Sequence, residues 1–259
     1  MVALAKRILA IAHRWWGIAF CSLFAMWFAS GIVMHFVPFP SRSEGIAATM
    51  VERSSTEREQ IICDQWTVTS EYDPDRPLTR ITLDDASGTE IYISRSGKVV
   101  LVTTRNERLL KYAGSIAHWF YPIALRRHAH FWTAMMWWIA LLATTGAALG
   151  AIFGLLRLSS GLTSEGLRRW HHVSGLVFAP ILLSWTFSGF LSMDEKMFVH
   201  GGEMFRTMHK LDFPPLSSHP LLRSIAIVSL CLYGLAFSLS GVVLAWKRMA
   251  IQKAWPRPD

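Results

Sequence analysis

Residues 169–193 read RWHHVSGLVFAPILLSWTFSGFLSM, and an earlier stretch repeats their pattern. His171, Gly175, Trp185, Ser188 and Gly189 correspond to His13, Gly17, Trp27, Ser30 and Gly31 at a constant offset of 158 residues. The template is His-x3-Gly-x9-Trp-x2-Ser-Gly, and each copy opens an apolar run, so the chain contains an internal repeat. At roughly 100° per residue, His13, Gly17, Phe24, Trp27, Gly31 and His35 fall within about 40° of one direction on a helix. A glycine one turn after a histidine removes the side chain that would keep a flat ring, or another helix, off the backbone. The same spacing also suits plain packing of membrane helices through small residues, with the histidine at the water boundary.

Composition places that repeat in a membrane. Of 259 residues, 52% are hydrophobic and 17% charged. Four apolar runs, 15–37, 131–156, 173–193 and 224–246, are each long enough to cross a bilayer. Lys6, Arg7 and Arg14 precede the first run, but its length exceeds that of a cleavable signal and reads as an uncleaved anchor. The fold class is a mainly α membrane protein, with four transmembrane helices in two tandem halves and a small α+β extracytoplasmic insertion.

Charge sets the expected orientation. Segments 1–14, 157–172 and 247–259 hold ten Lys or Arg against Glu165 and Asp259, which accounts for the whole net charge of +8. Segments 38–130 and 194–223 balance to zero. The positive-inside rule therefore predicts a multi-pass protein with both termini in the cytoplasm. The basic pI of about 9.8 reports topology, and no nucleic acid is implied. Trp15, Trp16, Trp170 and Trp246 are expected at the cytoplasmic interface, and Trp119 and Trp132 at the other. The three cysteines form no framework: Cys21 and Cys231 lie inside spans and Cys63 stands alone.

The domains read in order. Residues 1–40 carry the first span and 41–112 form the extracytoplasmic insertion. Residues 113–130 are an interfacial segment, and 131–156 the second span. A cytoplasmic loop (157–172), the third span (173–193), a short outer loop (194–223), the fourth span (224–246) and a cytoplasmic tail (247–259) follow. Within the insertion, 78–83, 90–94 and 99–103 are rich in β-branched residues and separated by turn residues at 84–88 and 96–97, predicting an antiparallel meander. The charged stretch 52–59 suits an exposed helix or a loop. KYAGSIAHWFYPIALRRHAH, 111–130, is too polar to span and is expected along the outer interface. Gly146, Gly150 and Gly154 form a small-x3-small ridge read as packing, and Pro180 is expected to kink the third span.

A looser second repeat joins the halves. His118-Trp-Phe-Tyr-Pro122 precedes the second span and His209-Lys-Leu-Asp-Phe-Pro214 the fourth, with Gly150 and Gly241 each 32 residues after their histidine. Each half thus reads as inner His, span, outer His, span, and two parallel halves relate by an axis along the membrane normal. Such an axis brings His13 to His171 and His118 to His209. Paired neutral imidazoles on facing helices suit the axial positions of haem b, one or two groups, with no covalent Cys-x-x-Cys-His attachment. Arg14, Arg168 and Arg169 inside, and Arg126 and Arg127 outside, are candidates for the propionates or plain membrane-flanking charge. His35 and His172 are spare ligand candidates. His128 and His130 form a His-x-His without a third ligand close by, and His200 and His219 read as solvated.

The residues HRWWGI, LFAMWFASGIVMHFVPFP, DQWTV, RPLTRITLDDASGTEIYIS, SGKVV, AHWFYPIALRR, WHHVSGL, SWTFSGFLSMD and HKLDFPPL together resemble the PepSY-associated transmembrane family over nearly the whole chain. The resemblance implies a PepSY-like insertion and, as in the ferric-siderophore-reductase-like members, haem between the helices. It points to His13, His171, His118 and His209 as the matched histidines. Longer relatives carry a large outer domain between spans three and four, where this chain has about 30 residues. The expected activity is electron transfer from the cytoplasmic side, from a quinone or a flavoprotein, to ferric iron or a ferric siderophore outside. No Gly-x-Gly-x-x-Gly follows a strand, so the donor is external. The competing expectation is a cofactor-free PepSY membrane protein whose outer domain binds or regulates a partner, the spans contacting membrane lipid only.

Overall fold

The computed structural model describes residues 2–40, 55–159, 165–192 and 202–254. The chain divides into two compact units, one of residues 1–29 and 133–259, the other of residues 30–132.

The first unit is helical. Its elements are the body of α1 (Val2–Phe36), α5 (Ala129–Leu158), α6 (Gly166–Ser192), the short α7 (Gly202–Lys210) and α8 (Pro214–Ser217), and α9 (Pro220–Ala254). The four long helices are each long and apolar enough to cross a membrane, the build of a multi-pass membrane protein. All four reach past the apolar runs that announce them, into flanking residues that continue the helix at the ends. α6 stays helical through Pro180. The stretch between α6 and α9, expected as a plain loop, holds α7 and α8.

Aromatic rings fill this unit. Phe28 lies edge-on to Phe178 at 5.6 Å and tilted to Trp185 at 5.9 Å, and Phe178 is nearly fully buried. Room for such rings comes from glycines. A Cβ at Gly234 would lie 2.6–2.7 Å from three atoms of the Phe28 ring, and one at Gly146 would lie 2.0 Å from Cδ1 of Trp16. Trp16 therefore turns in against α5, where its Nε1 donates to the Leu142 carbonyl at 2.8 Å. Trp15, Trp170 and Trp246 are exposed.

The second unit is built on a four-stranded antiparallel meander, β1 (Ser55–Ile61), β2 (Leu78–Leu83), β3 (Glu90–Ile93) and β4 (Val99–Thr103), in that spatial order. β2 to β4 form where β-branched residues predict them. β1 is a correction: the charged stretch expected as helix or loop pairs with β2, Glu59 opposite Arg80. Its residues 57–60 are exposed and charged or polar, as protects a sheet edge. The turn glycines Gly88 and Gly97 adopt φ of +56° and +80°.

One core of this unit comprises Trp66, Tyr72, Leu78, Tyr92, Val100, Leu101, Ile116 and Tyr121. The last two come from the segment expected along the interface, so that segment closes the sheet's core as well. Here α2 (Arg105–Lys111) starts at a capping box, with Thr104 and Glu107 bonded to each other's backbone amides. It passes through a π-helical segment, Tyr112–Ile116, into α3 (Ala117–Trp119), and α4 (Ile123–Arg126) follows. In the π segment, Gly114 approaches the end of α1: a Cβ there would lie 3.2 Å from the Met34 amide nitrogen. Buried Gln65 ties the segment down, donating to the Tyr121 carbonyl and accepting from the Ile123 amide, both at 2.8 Å.

Candidate functional site

His171 sits in α6 against α9. Its ring stacks on Phe237, centroids 4.8 Å apart and 13° from parallel, and its Nδ1 is 2.7 Å from the Ser240 hydroxyl. Gly241 lets the ring in: a Cβ there would lie 3.3 Å from His171 Cε1. Ser240 in turn donates its hydroxyl proton to the Phe237 carbonyl. A hydroxyl has one proton, so with that proton engaged Ser240 accepts from His171. Nδ1 is then the protonated ring nitrogen, and Nε2 keeps its lone pair.

His209 shows the same construction. It comes from α7 and packs on α6, where its Nδ1 is 3.0 Å from the Trp185 carbonyl and 3.4 Å from the Ser188 hydroxyl. A carbonyl only accepts, so Nδ1 again carries the proton. Ser188 donates to the Trp185 carbonyl at 3.1 Å, and a Cβ at Gly189 would lie 3.1 Å from His209 Cε1. Burial lowers the affinity of this ring for a second proton, the Trp185 carbonyl opposes that, and Lys210 adds to it. In the other unit His118 repeats the serine contact, with Nδ1 3.0 Å from Ser30.

Three short segments thus serve one purpose. Trp27-x2-Ser30-Gly31, Trp185-x2-Ser188-Gly189 and Phe237-x2-Ser240-Gly241 each offer a buried serine to a histidine ring carried by another helix. In the latter two the serine bonds back to the aromatic residue's carbonyl and the following glycine opens space for the ring. The sequence displays the first two as part of the repeat. The third escapes because phenylalanine replaces tryptophan and it stands outside that repeat. The signal that finds it is the pairing of Gly241 with His209 at 32 residues, the spacing that also pairs Gly150 with His118.

Of the glycines one turn after the inner histidines, one lets a flat ring from another helix approach and the other does not. Gly175 admits Phe237, whose Cε2 would be 2.9 Å from a Cβ there, and so places the ring on which His171 stacks. At Gly17 the nearest contact is Cys21 Sγ of the same helix, at 3.8 Å. The ridge on α5 admits one ring or side chain per step: Gly146 takes Trp16, Gly150 takes His13 and Gly154 takes Leu176.

His13 has the barest seat. Its Cε1 lies 3.1 Å from where a Gly150 Cβ would be, and its ring tilts 30° to Phe153 at 5.4 Å. Among the described residues it has no hydrogen-bond partner. The counterpart of Ser240 on α5 is Leu149, which explains the absence. His13 and His171 lie within electrostatic reach of each other, and so do His13 and His172. His172 turns toward α5, reaching the Gly154 carbonyl, with its Nε2 buried and unbonded among the described residues. Cys21 shares the Gly241 notch with His171, its Sγ 2.5 Å from the position of a Cβ there.

The remaining candidates fall elsewhere. His118 belongs to the unit of residues 30–132 and His209 to the helical unit, and each is described by its own seat. His35 lies edge-on to Phe36 at 4.9 Å. His128, His130 and His219 are exposed, and His200 falls outside the described residues. Among the described residues no three His, Cys, Asp or Glu side chains gather as a metal cluster. Arg126 lies over the rings of Tyr121 and Trp132, at 5.2 and 4.8 Å, and Arg14 over Trp15 at 5.7 Å, while Arg127, Arg168 and Arg169 are exposed.

His171 and His209 fit a haem-ligating role by their chemistry: a ring whose Nδ1–H is held by a hydroxyl or carbonyl presents Nε2 in a fixed direction with raised basicity. A glycine notch that keeps the ring's orientation adds to this fit. The chain matches no known family model, and no curated protein is detectably similar to it in sequence.

Proposed function

We propose that this chain is a shortened member of the PepSY-associated transmembrane family that holds haem b between its helices. It passes single electrons outward across the bacterial inner membrane, toward ferric iron or a ferric siderophore. The observation that carries this reading is the pair of seats under His171 and His209, each fixing Nδ1–H and leaving Nε2 to ligate. His13 and His171 would hold an inner haem, and His118 and His209, each in its own unit, are the further ligand candidates. Bound haem supplies reversible one-electron transfer at iron. The chain's own part is to orient the imidazoles through Ser240, Ser188 and Ser30 and to keep water from them with Phe237, Phe178 and Trp185. The charge asymmetry supports basic ends on the cytoplasmic side, with a quinone or flavoprotein donor working from there.

The absorbance spectrum of the purified protein, reconstituted with haem, tests the reading. The expected result is a low-spin, bis-imidazole spectrum. His13→Ala and His171→Ala should remove the same fraction of it, and the double variant no more. Absence of any haem spectrum, or full spectra in both single variants, overturns the proposal and leaves a cofactor-free membrane protein that engages a partner through its sheet unit. A cysteine at Ser87 should react with an impermeant thiol reagent in intact cells, whereas one at Ser159 should not. The opposite pattern overturns the outward direction.

A further inference from the structure

The two inner histidines are equivalent in the repeat and unequal in their seats. His171 has a stacked ring, a glycine notch and a hydrogen bond to Ser240 that fixes its protonated nitrogen. His13 has a notch and a tilted ring neighbour, and among the described residues no hydrogen bond. The cause is one residue: Leu149 stands where the other half has Ser240. Phe153 does not substitute for Phe237 either, since it follows the glycine by three residues where Phe237 precedes its own by four.

An acceptor on Nδ1–H strengthens an imidazole as a ligand, because partial removal of that proton raises electron density at Nε2 and holds the ring in register. Losing such a partner lowers metal affinity by about 10–100-fold. A ring without the bond is also free to exchange its two tautomers, and only the notch and the Phe153 ring hold its orientation. Nothing comparable operates at His171, where rotation would break the Ser240 bond and the Phe237 stack together.

We propose, resting on the haem reading above, that His13 is the yielding ligand of the inner pair and His171 the fixed one. The inner site then accepts a small neutral diatomic gas on the His13 side, against α1 and α5. With haem bound, His13 Nε2 would yield its place to the gas, an exchange of one neutral ligand for another in which no electron or proton is transferred. Leu149 sets this behaviour, and a serine in its place should close it.

Carbon monoxide added to the reduced, haem-loaded protein is the probe. Wild type should bind it at the inner haem, Leu149→Ser should bind at least about 10-fold more weakly, and Ser240→Ala should bind it with His171 as a second yielding side. A separate reading needs no haem: nitrogen-15 spectra of the two labelled histidines in the apoprotein should show His171 as the Nδ1–H form alone and His13 as a mixture. Leu149→Ser should convert His13 to the Nδ1–H form. Carbon monoxide binding unchanged in Leu149→Ser, or a single fixed tautomer at wild-type His13, overturns the inference. Absence of haem sinks the functional reading instead, while the nitrogen spectra still decide whether the seats are unequal.

Discussion

Glycine does opposite work in the two units. In the helical unit Gly146, Gly150, Gly175, Gly189, Gly234 and Gly241 lie within helices, and each leaves a notch that a ring or thiol from another helix fills. In the sheet unit Gly97 has nothing within 4 Å of where its Cβ would be, and its importance is a φ of +80° that L side chains rarely adopt. One set is required for space, the other for shape. Membrane helices have no hydrophobic drive toward each other once in lipid, so they associate through close fit. The sheet unit has water to drive its core together; its turn glycines serve where the chain reverses, and Gly114 serves the approach to Met34.

The comparison breaks most sharply at Gly146. A methyl there, 2.0 Å from Trp16 Cδ1 and 2.5 Å from Nε1, evicts the ring and its bond to Leu142. We expect Gly146→Ala to cost about 3 kcal/mol, at the upper end for overpacking, read as a lowered melting temperature in detergent. An unchanged melting temperature would show that the ring has room to move. At Gly97 size should matter little and dihedral preference should matter more. Gly97→Val is expected to cost about 1–2 kcal/mol. Gly97→Asn, whose short polar side chain tolerates the left-handed region, should cost only a few tenths. Amide hydrogen exchange in β3 and β4 measures both, and equal losses would refute the distinction.

The smallest effect sharpens the comparison at Gly189, where an added methyl would sit 3.1 Å from His209 Cε1 and 3.3 Å from Nδ1. The ring must give by a few tenths of an ångström. In the wild type, burial holds the folded pKa of His209 below the ordinary histidine value of about 6.5. As pH falls, the unfolded chain takes the proton first. Stability is therefore full above the ordinary histidine pKa and declines below it toward the lowered folded value. Gly189→Ala loosens the seat, raises the folded pKa toward the ordinary value and should make that decline shallower. Melting temperatures from pH 8 to 5 compare the two, and a steeper decline in the variant would count against the seat.

Much of this was readable beforehand, for physical reasons that also mark where reading stops. Four spans stand out because charge is excluded from them, and β2 to β4 because β-branched residues alternate with turn residues. β1 hides because an edge strand of the sequence STEREQI carries charge for protection and has no apolar alternation. The repeat picks out His13, His171, Ser30, Ser188 and Gly189, yet it is silent on who touches whom. That the ring admitted at Gly175 is Phe237 cannot be read from it, and the serine that holds His171 lies 69 residues away on another helix. In the sheet unit, Asp64 in DQWTV gives no sign that it accepts from the amides of Trp66 and Thr67 and from the Tyr92 hydroxyl. Such contacts are properties of the fold, and a spacing rule sees only contacts within one helix or one hairpin.

The π segment Tyr112–Ile116 is an α-helix with one residue more per turn than it needs. Deleting Ala113 would take one residue out of that turn and return it to α geometry, shifting Gly114 and His118 together relative to the chain before them. Gly114 approaches Met34 and His118 meets Ser30, so a single lost codon puts both approaches to α1 at stake. In evolutionary terms the extra residue acts as a ratchet, easy to gain while neither contact existed and hard to lose once both depend on it. Chains descended from the same ancestor should therefore vary in length at the turns 84–88 and 96–97, and keep the count from Tyr112 to His118 unchanged.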